Sequence, residues 1–427
     1  MGRRLRVAII GNSNSLLRHG YTAHLDQDQF DVRRFVLGAC PNVMLLYALT
    51  MAGWDVAFDW IVLETSPTDQ MFESLGVYGA AQRRAALTLF LDEAMRRQPG
   101  ARVLALVLPF QATLAGEAPS LLPELLEGLA TASRPVVVLD IASAHARYAA
   151  GTSLAGVFMA DRMHPSPPAQ IFVGRLLGRI LSRLAEAAGH DAVPDRGTVR
   201  LVVPDGITPG PARINPIVTG PVNRLALGAT GGWSSARPER VLALVINRNA
   251  TACGLRLGGG GVSHDVDLRC RPDPTLETVV SLVPVGGGVT GTALTIEPRA
   301  EVSASAEPVW EVDATKVLTG LEFWGVLVAD AEALDAVRPP LTVPIDALAD
   351  PAIAADAAGL MADFARWHGL FSERWLLIES PWLLDWAEGF HAELLDARTR
   401  PEVLAASLKL FRRLGDPAAC AVLEQPP

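Results

Sequence analysis

The sequence predicts an α/β protein built as three layers around a mostly parallel sheet, followed by a β-sandwich-like module and a helical C-terminal segment. Three observations carry this. Short apolar runs alternate with helical patterns over residues 5–185, as repeating strand–helix units do. From about 240 to 330, alternating or apolar segments are separated by glycine-rich turns, the pattern of compact all-β modules. Helical spacing then returns over 350–415. At 427 residues the chain is longer than one core usually supports. The reading divides it into an α/β domain (1–190), a Pro/Gly-rich linker (191–238), a β-rich module (239–335) and a helical C-terminal region (336–427).

In chain order, strands are expected at 5–10, 32–37, 60–63, 103–108 and 136–140, with helices between them at 43–51, 79–97 and 121–132. The last of these helices follows Pro119-Ser120, a helix-start signal. Residues 171–184 carry apolar side chains at three- and four-residue spacing, as a helix packed on the sheet must. Pro194, Pro204, Pro209, Pro211, Pro216 and Pro221 follow. They disfavour helix and central strand alike, so 186–238 reads as a linker or as extended chain lying over another surface. Strands are expected again at 240–247, 264–268, 278–284, 293–297 and 321–328. The glycines at 258–261 and 286–288 read as turns, because neither run has the strand-to-helix context and lysine of a phosphate cradle. Helices at 352–368, 383–395 and 401–413 close the chain. Trp367, Trp375, Trp382 and Trp386 cluster there and read as core packing before a sugar-stacking platform.

Composition narrows the function classes. Half the residues are hydrophobic, 19% are charged and the formal net charge is −9. This supports large packed cores and disfavours a nucleic-acid backbone or an anionic membrane as partner. Cys40, Cys253, Cys270 and Cys420 show neither a CxxC spacing nor a tight metal spacing, which fits a reducing compartment. No apolar run reaches the ~18–20 residues of a membrane span. The short apolar stretch after Arg3, Arg4 and Arg6 runs straight into Gly11-Asn12-Ser13, so it reads as a strand and not as a signal peptide. A soluble, cytoplasmic protein is expected.

Ser13 is the first candidate for chemistry. It follows a buried strand through a glycine turn, where its Oγ can stand at the sheet rim and the next backbone amides can face a carbonyl oxygen. Read alone, Gly-Asn-Ser is also an ordinary turn and helix cap. Ser15 is a second candidate, ranked lower because it lies inside the turn. In Asp161-Arg162-Met163-His164 the i to i+3 spacing puts acid and imidazole on one face of a helical turn. There the carboxylate can hold one ring nitrogen and leave the other for a serine. His19 and His24 lie near Ser13 in sequence and read as solvated or helix-face residues. Cys40 reads as a small buried residue. His264, Asp265 and Asp267 alternate along a strand and give no closed ligand set, so no metal and no cofactor are expected.

Over roughly 5–185 these motifs resemble the SGNH, or GDSL-type, hydrolases, whose α/β fold is flavodoxin-like. Gly11-Asn12-Ser13 resembles the first block with asparagine for aspartate, and Gly38 in Leu37-Gly38-Ala39-Cys40 resembles the glycine of the second. Trp60 to Asp69 resembles the third block, and Asp161-Arg162-Met163-His164-Pro165 matches the fifth. The resemblance implies Ser13 as nucleophile, His164 as general base and Asp161 as the residue orienting it. It implies an oxyanion hole from the Ser13 and Gly38 amides with a third donor at Thr68, where the family carries asparagine. Losing one such donor typically costs ~10²- to 10³-fold in rate.

The implied function is a serine O-acyl esterase or acyltransferase working through an acyl-enzyme on Ser13. A glycan or other hydroxylated ester is the expected small-molecule substrate, on the analogy of relatives linked to polysaccharide modification. The rival reading is a non-catalytic binding or assembly protein with a degenerate domain of this type, which Thr68 favours. A nucleotide-binding Rossmann protein is disfavoured, since no Gly-x-Gly-x-x-Gly follows Ile10.

Overall fold

Strands covered on both faces need apolar side chains at nearly every position, and the N-terminal runs meet that demand. The structure, a computed structural model, describes residues 3–372 apart from 18–19, 39, 66, 77, 118–119, 149–157, 160–161, 186–197, 215–218, 273–277 and 310. Strands β1 (Leu5–Gly11), β2 (Phe30–Val36), β3 (Trp60–Thr65), β4 (Arg102–Val107) and β5 (Val137–Asp140) lie where those runs predict them. They join in the order β5-β4-β3-β1-β2 with every pairing parallel. This is the flavodoxin-like order, with its switch point between β1 and β3. All six residues of β3 are buried.

The strand period of two divides the side chains between two helical layers. Val7, Ile9, Trp60 and Val62 face the helix α8 (Pro167–Arg183). Ala8, Ile10, Ile61 and Leu63 face α2 (Val43–Ala48), α4 (Ala80–Arg97) and α6 (Leu122–Leu129). Shorter helices α1 (Ser13–Leu16), α3 (Pro67–Ser74), α5 (Gln111–Leu114) and α7 (Ile141–Tyr148) line the carboxyl ends of the strands. α8 opens on Pro167-Pro168, where the missing N–H groups cost nothing. It passes the 3₁₀ turn Tyr21–His24 at Gly174, where a Cβ would overlap the Tyr21 carbonyl.

The second unit is one ten-stranded mixed sheet. Its strands are β6 (Val199–Val202), β7 (Thr208–Ile214), β8 (Thr219–Leu225), β9 (Gly231–Asn247), β10 (Gly254–Gly259), β11 (Val262–Asp267), β12 (Val280–Pro284), β13 (Thr290–Arg299), β14 (Glu307–Pro308) and β15 (Leu321–Asp330). The long β9 pairs with β13, β15 and β12 in turn, and bulges in its pairings with β13 and β15 curl the sheet. The inner face holds Leu244, Ile246, Leu257, Ile296 and Phe323. The outer face, with Ala243, Val245, Leu282, Trp324 and Leu327, joins α2 and α4 in a single core. Gln82 Nε2 donates to Gly286 O across this junction at 3.2 Å.

Two segments differ from the sequence reading. Part of the stretch read as linker is strand: β6, β7, β8 and the start of β9. Pro209 and Pro211 sit in β7, the outermost strand, where a missing donor is tolerated. The region after 335, read as helical, also supplies β16 (Ile345–Asp346), a sixth parallel strand beside β5. Helix α10 (Pro351–Ser372) then covers the α8 face with Ile353, Ala357, Leu360 and Phe364. Asp350 starts it by accepting from Ala352 N at 2.8 Å. The helix α9 (Ala331–Asp335) links the two units. The helices expected at 383–395 and 401–413, with Trp375, Trp382 and Trp386, lie outside the described residues. Among the described residues, no helix is long and apolar enough to cross a membrane.

Candidate active site

Because β1 and β3 are neighbours and β2 leaves on the other side, the segments after β1 and β3 open away from each other at their carboxyl ends. Gly11 closes β1. A Cβ on it would lie 2.6 Å from Glu64 Oε2 and closer still to Ser15 Oγ, so only glycine lets the turn settle against β3. Asn12 O then accepts from Ser15 N at 3.0 Å and Leu16 N at 2.9 Å, winding α1 with Ser13 as its first residue. Ser13 is half-buried.

His164 arrives on the segment before α8. That segment is pinned by Ser166 N donating to Phe158 O at 2.8 Å and by Gln111 N donating to Arg162 O at 3.0 Å. Two side chains bind it to α1. Asn14 Nδ2 donates to Met163 O at 3.2 Å, while Gln170 Nε2 donates to Asn14 Oδ1 at 3.1 Å and to Pro165 O at 3.4 Å. Gln170 Oε1 in turn accepts from Tyr21 N at 2.9 Å. The result is a His164 Nε2 to Ser13 Oγ distance of 2.9 Å. An imidazole nitrogen in that position can take the hydroxyl proton.

Beneath the turn lies Glu64, fully enclosed near the end of β3. It accepts from Ser15 Oγ, which also lies 2.5 Å from the Tyr21 hydroxyl. Burial pushes the Glu64 carboxyl up to about 7, against the hydrogen bond from Ser15, which pulls it down. Burial, then the Glu64 charge, holds the Tyr21 phenol well above its usual range. Ser15, the second serine of the motif, is therefore an interior hydroxyl and meets no substrate.

On the opposite side, Asn12 Nδ2 donates to Thr68 Oγ1 at 2.9 Å and lies 3.4 Å from Cys40 O. Gly38 is carried to the same level by the Leu37 N to Gly11 O bond. Cys40 is buried, and its thiol is pushed up to about 12 by that burial. A cavity of about 60 Å³ adjoins α3 at the ends of β3, β4 and β5, lined by Asp69, Gln70, Arg83, Phe110 and Thr113 among others. Burial pushes the Asp69 carboxyl up to about 7, although it accepts from Asn42 N at 2.7 Å.

Ser13, His164, Gly38 and Thr68 thus come to one end of one sheet, while Asp161 and His19 lie outside the described residues. His24 stands on the 3₁₀ turn beside α8. His264 is in the curled sheet, paired with Glu307 at 2.5 Å. Among the described residues no group of three or more His, Cys, Asp or Glu side chains is arranged to hold a metal. Sequence reasoning passed over Glu64 and Gln170. Their signal was a charged or amide side chain inside an otherwise apolar run, which requires a buried partner.

No protein-family model matches the chain, and no curated protein matches it in sequence. Among solved structures, a two-domain esterase active on acetylated mannans superposes with a TM-score of 0.50 and 12% identity, covering 77% of this chain and 91% of that one. The same esterase co-crystallised with mannopentaose gives 0.50 and 12%, covering 76% and 90%. This chain shares their fold. The shared part is more than the parallel-sheet unit alone supplies, so the likeness takes in the curled sheet. A lipase/acylhydrolase from Enterococcus faecalis superposes at 0.34 and 16% identity, over 43% of this chain and 97% of that one.

Proposed function

We propose that the protein is a serine O-acyl esterase or acyltransferase acting on an acylated carbohydrate or similar hydroxylated ester. The observation that carries this is the 2.9 Å contact between Ser13 Oγ and His164 Nε2 at the switch point of the sheet. In the reaction, His164 Nε2 takes the Ser13 proton as Oγ attacks the ester carbonyl. The backbone amides of Ser13 and Gly38, with the Thr68 hydroxyl, receive the oxyanion. His164 returns its proton to the departing alcohol, leaving an acyl-enzyme. Water, or a hydroxyl of a second substrate, then gives its proton to His164 and its oxygen to the acyl carbon; the bond from Ser13 Oγ to that carbon breaks, and His164 returns the proton to Oγ. Asp161 orients the imidazole in this scheme.

The carbohydrate ester rests on the neighbour active on acetylated mannans. Hydrolysis of p-nitrophenyl acetate and release of acetate from acetylated mannan test the two levels separately. Wild type should show a burst of nitrophenol that Ser13→Ala abolishes; equal turnover by the two proteins sinks the serine assignment. A binding protein on the same scaffold is the second reading, favoured by Thr68 standing at the asparagine position. A folded protein that takes no fluorophosphonate adduct on Ser13 would decide for it.

A further inference from the structure

Glu64 occupies a place that the proposed chemistry does not use. It is a carboxylate with 3% exposure inside a sheet of apolar side chains, and such a group persists only where its bonds repay its desolvation. Its bond reaches the turn on which both halves of the site depend. Ser15 Oγ donates to Oε2, and Ser15 belongs to the helical turn that begins at Ser13. The same turn carries Asn14, whose Nδ2 donates to Met163 O, the residue before His164.

The orientation of Asn14 is set independently. Gln170 Nε2 donates to its Oδ1, so its Nδ2 faces Met163 as a donor. Glu64 therefore receives its donor, Ser15 Oγ, from the same turn that Asn14 fastens to the histidine segment. The absence of any side chain on Gly11 brings β1 close enough for this contact.

We propose that Glu64 is a positioning residue that sets the reach between Ser13 and His164 by anchoring, through Ser15, the α1 turn that carries Ser13 and holds the histidine segment through Asn14. A glutamine here offers Ser15 a neutral amide in place of a carboxylate, which weakens the bond that anchors this turn. The proposal rests on the serine-ester reading. A displacement of about 1 Å at a reacting pair costs on the order of 100-fold.

The experiment compares wild type, Glu64→Gln and Ser15→Ala. It measures kcat and KM on p-nitrophenyl acetate, the rate of fluorophosphonate labelling at Ser13, and thermal unfolding of each protein. Glu64→Gln should lower kcat and the labelling rate by about 10- to 100-fold, with KM within about twofold. Ser15→Ala, which removes the donor and leaves the carboxylate, should fall in the same direction. It carries the test if Glu64→Gln fails to fold. Folded variants that label at the wild-type rate, or that lose only KM, overturn the positioning role while leaving the serine reading intact. Wild type that never labels overturns both.

Discussion

The side-chain amide of Asn12 donates to Thr68 Oγ1 at 2.9 Å, tying the end of β1 to the first turn of α3. Its other near neighbour is the Cys40 carbonyl at 3.4 Å. Both neighbours are acceptors here, which accounts for asparagine where the SGNH motif carries aspartate. Asn12→Asp would aim a buried carboxylate at a carbonyl oxygen. We expect a loss of about 3 kcal/mol, read as a lowered midpoint in thermal unfolding at pH 8; an unchanged midpoint would refute this account.

Thr68 holds the position that the family resemblance gives to an oxyanion donor. On the proposed reading, Thr68→Ala removes one of three donors and lowers kcat by about 100-fold, with KM on p-nitrophenyl acetate little changed. Thr68→Ser, which keeps the hydroxyl, should retain most of the rate. If Thr68→Ala turns over within twofold of wild type, the two backbone amides suffice and Thr68 is a strut for Asn12 alone.

How far the site was legible follows from these contacts. Ser13 and His164 stand out in the chain because each sits beside a strong local signal, a strand end and a helix start. β1, β3 and β4 stand out because strands buried on both faces are apolar at most positions. β7 was hidden by Pro209 and Pro211, and β16 by its length of two residues. The Glu64 to Ser15 bond joins the end of β3 to the turn after β1 across 49 positions, and no local periodicity reports such a pair. Gln170 looks like any polar residue of an amphipathic helix until α8 is laid against α1.

Cys40 beside Gly38 suggests a thiol nucleophile, but its chemistry points elsewhere. Burial pushes the thiol up to about 12, so the nucleophilic thiolate is scarce at neutral pH. Native protein should leave Cys40 unmodified by iodoacetamide at pH 8, with modification appearing only in denaturant. Cys40→Ala should keep kcat within twofold, since Asn12 meets only the backbone carbonyl of this residue. Rapid alkylation of Cys40 in the native state would contradict its enclosure.

Asp69 makes stability depend on pH in a stated direction. Its ordinary value is 3.8, and burial lifts it to about 7 in the folded protein, so folding favours the neutral acid. For a raised carboxyl, the contribution is fully present below about 4 and is lost as pH rises through 7. The difference is on the order of 4 kcal/mol. Asp69→Asn keeps an oxygen to accept from Asn42 N, and it leaves Arg83 paired with Glu73 at 3.0 Å and Glu124 at 2.7 Å. The variant should match wild type near pH 4 and become progressively more stable than it up to pH 8. Glu64, lifted to about 7 by its own burial, titrates in the same window, so the curve of the variant should flatten only in part. Thermal midpoints of both proteins across pH 4–8 decide the matter. A difference that shrinks as pH rises would mean that Asp69 is ionised in the fold and held by Arg83.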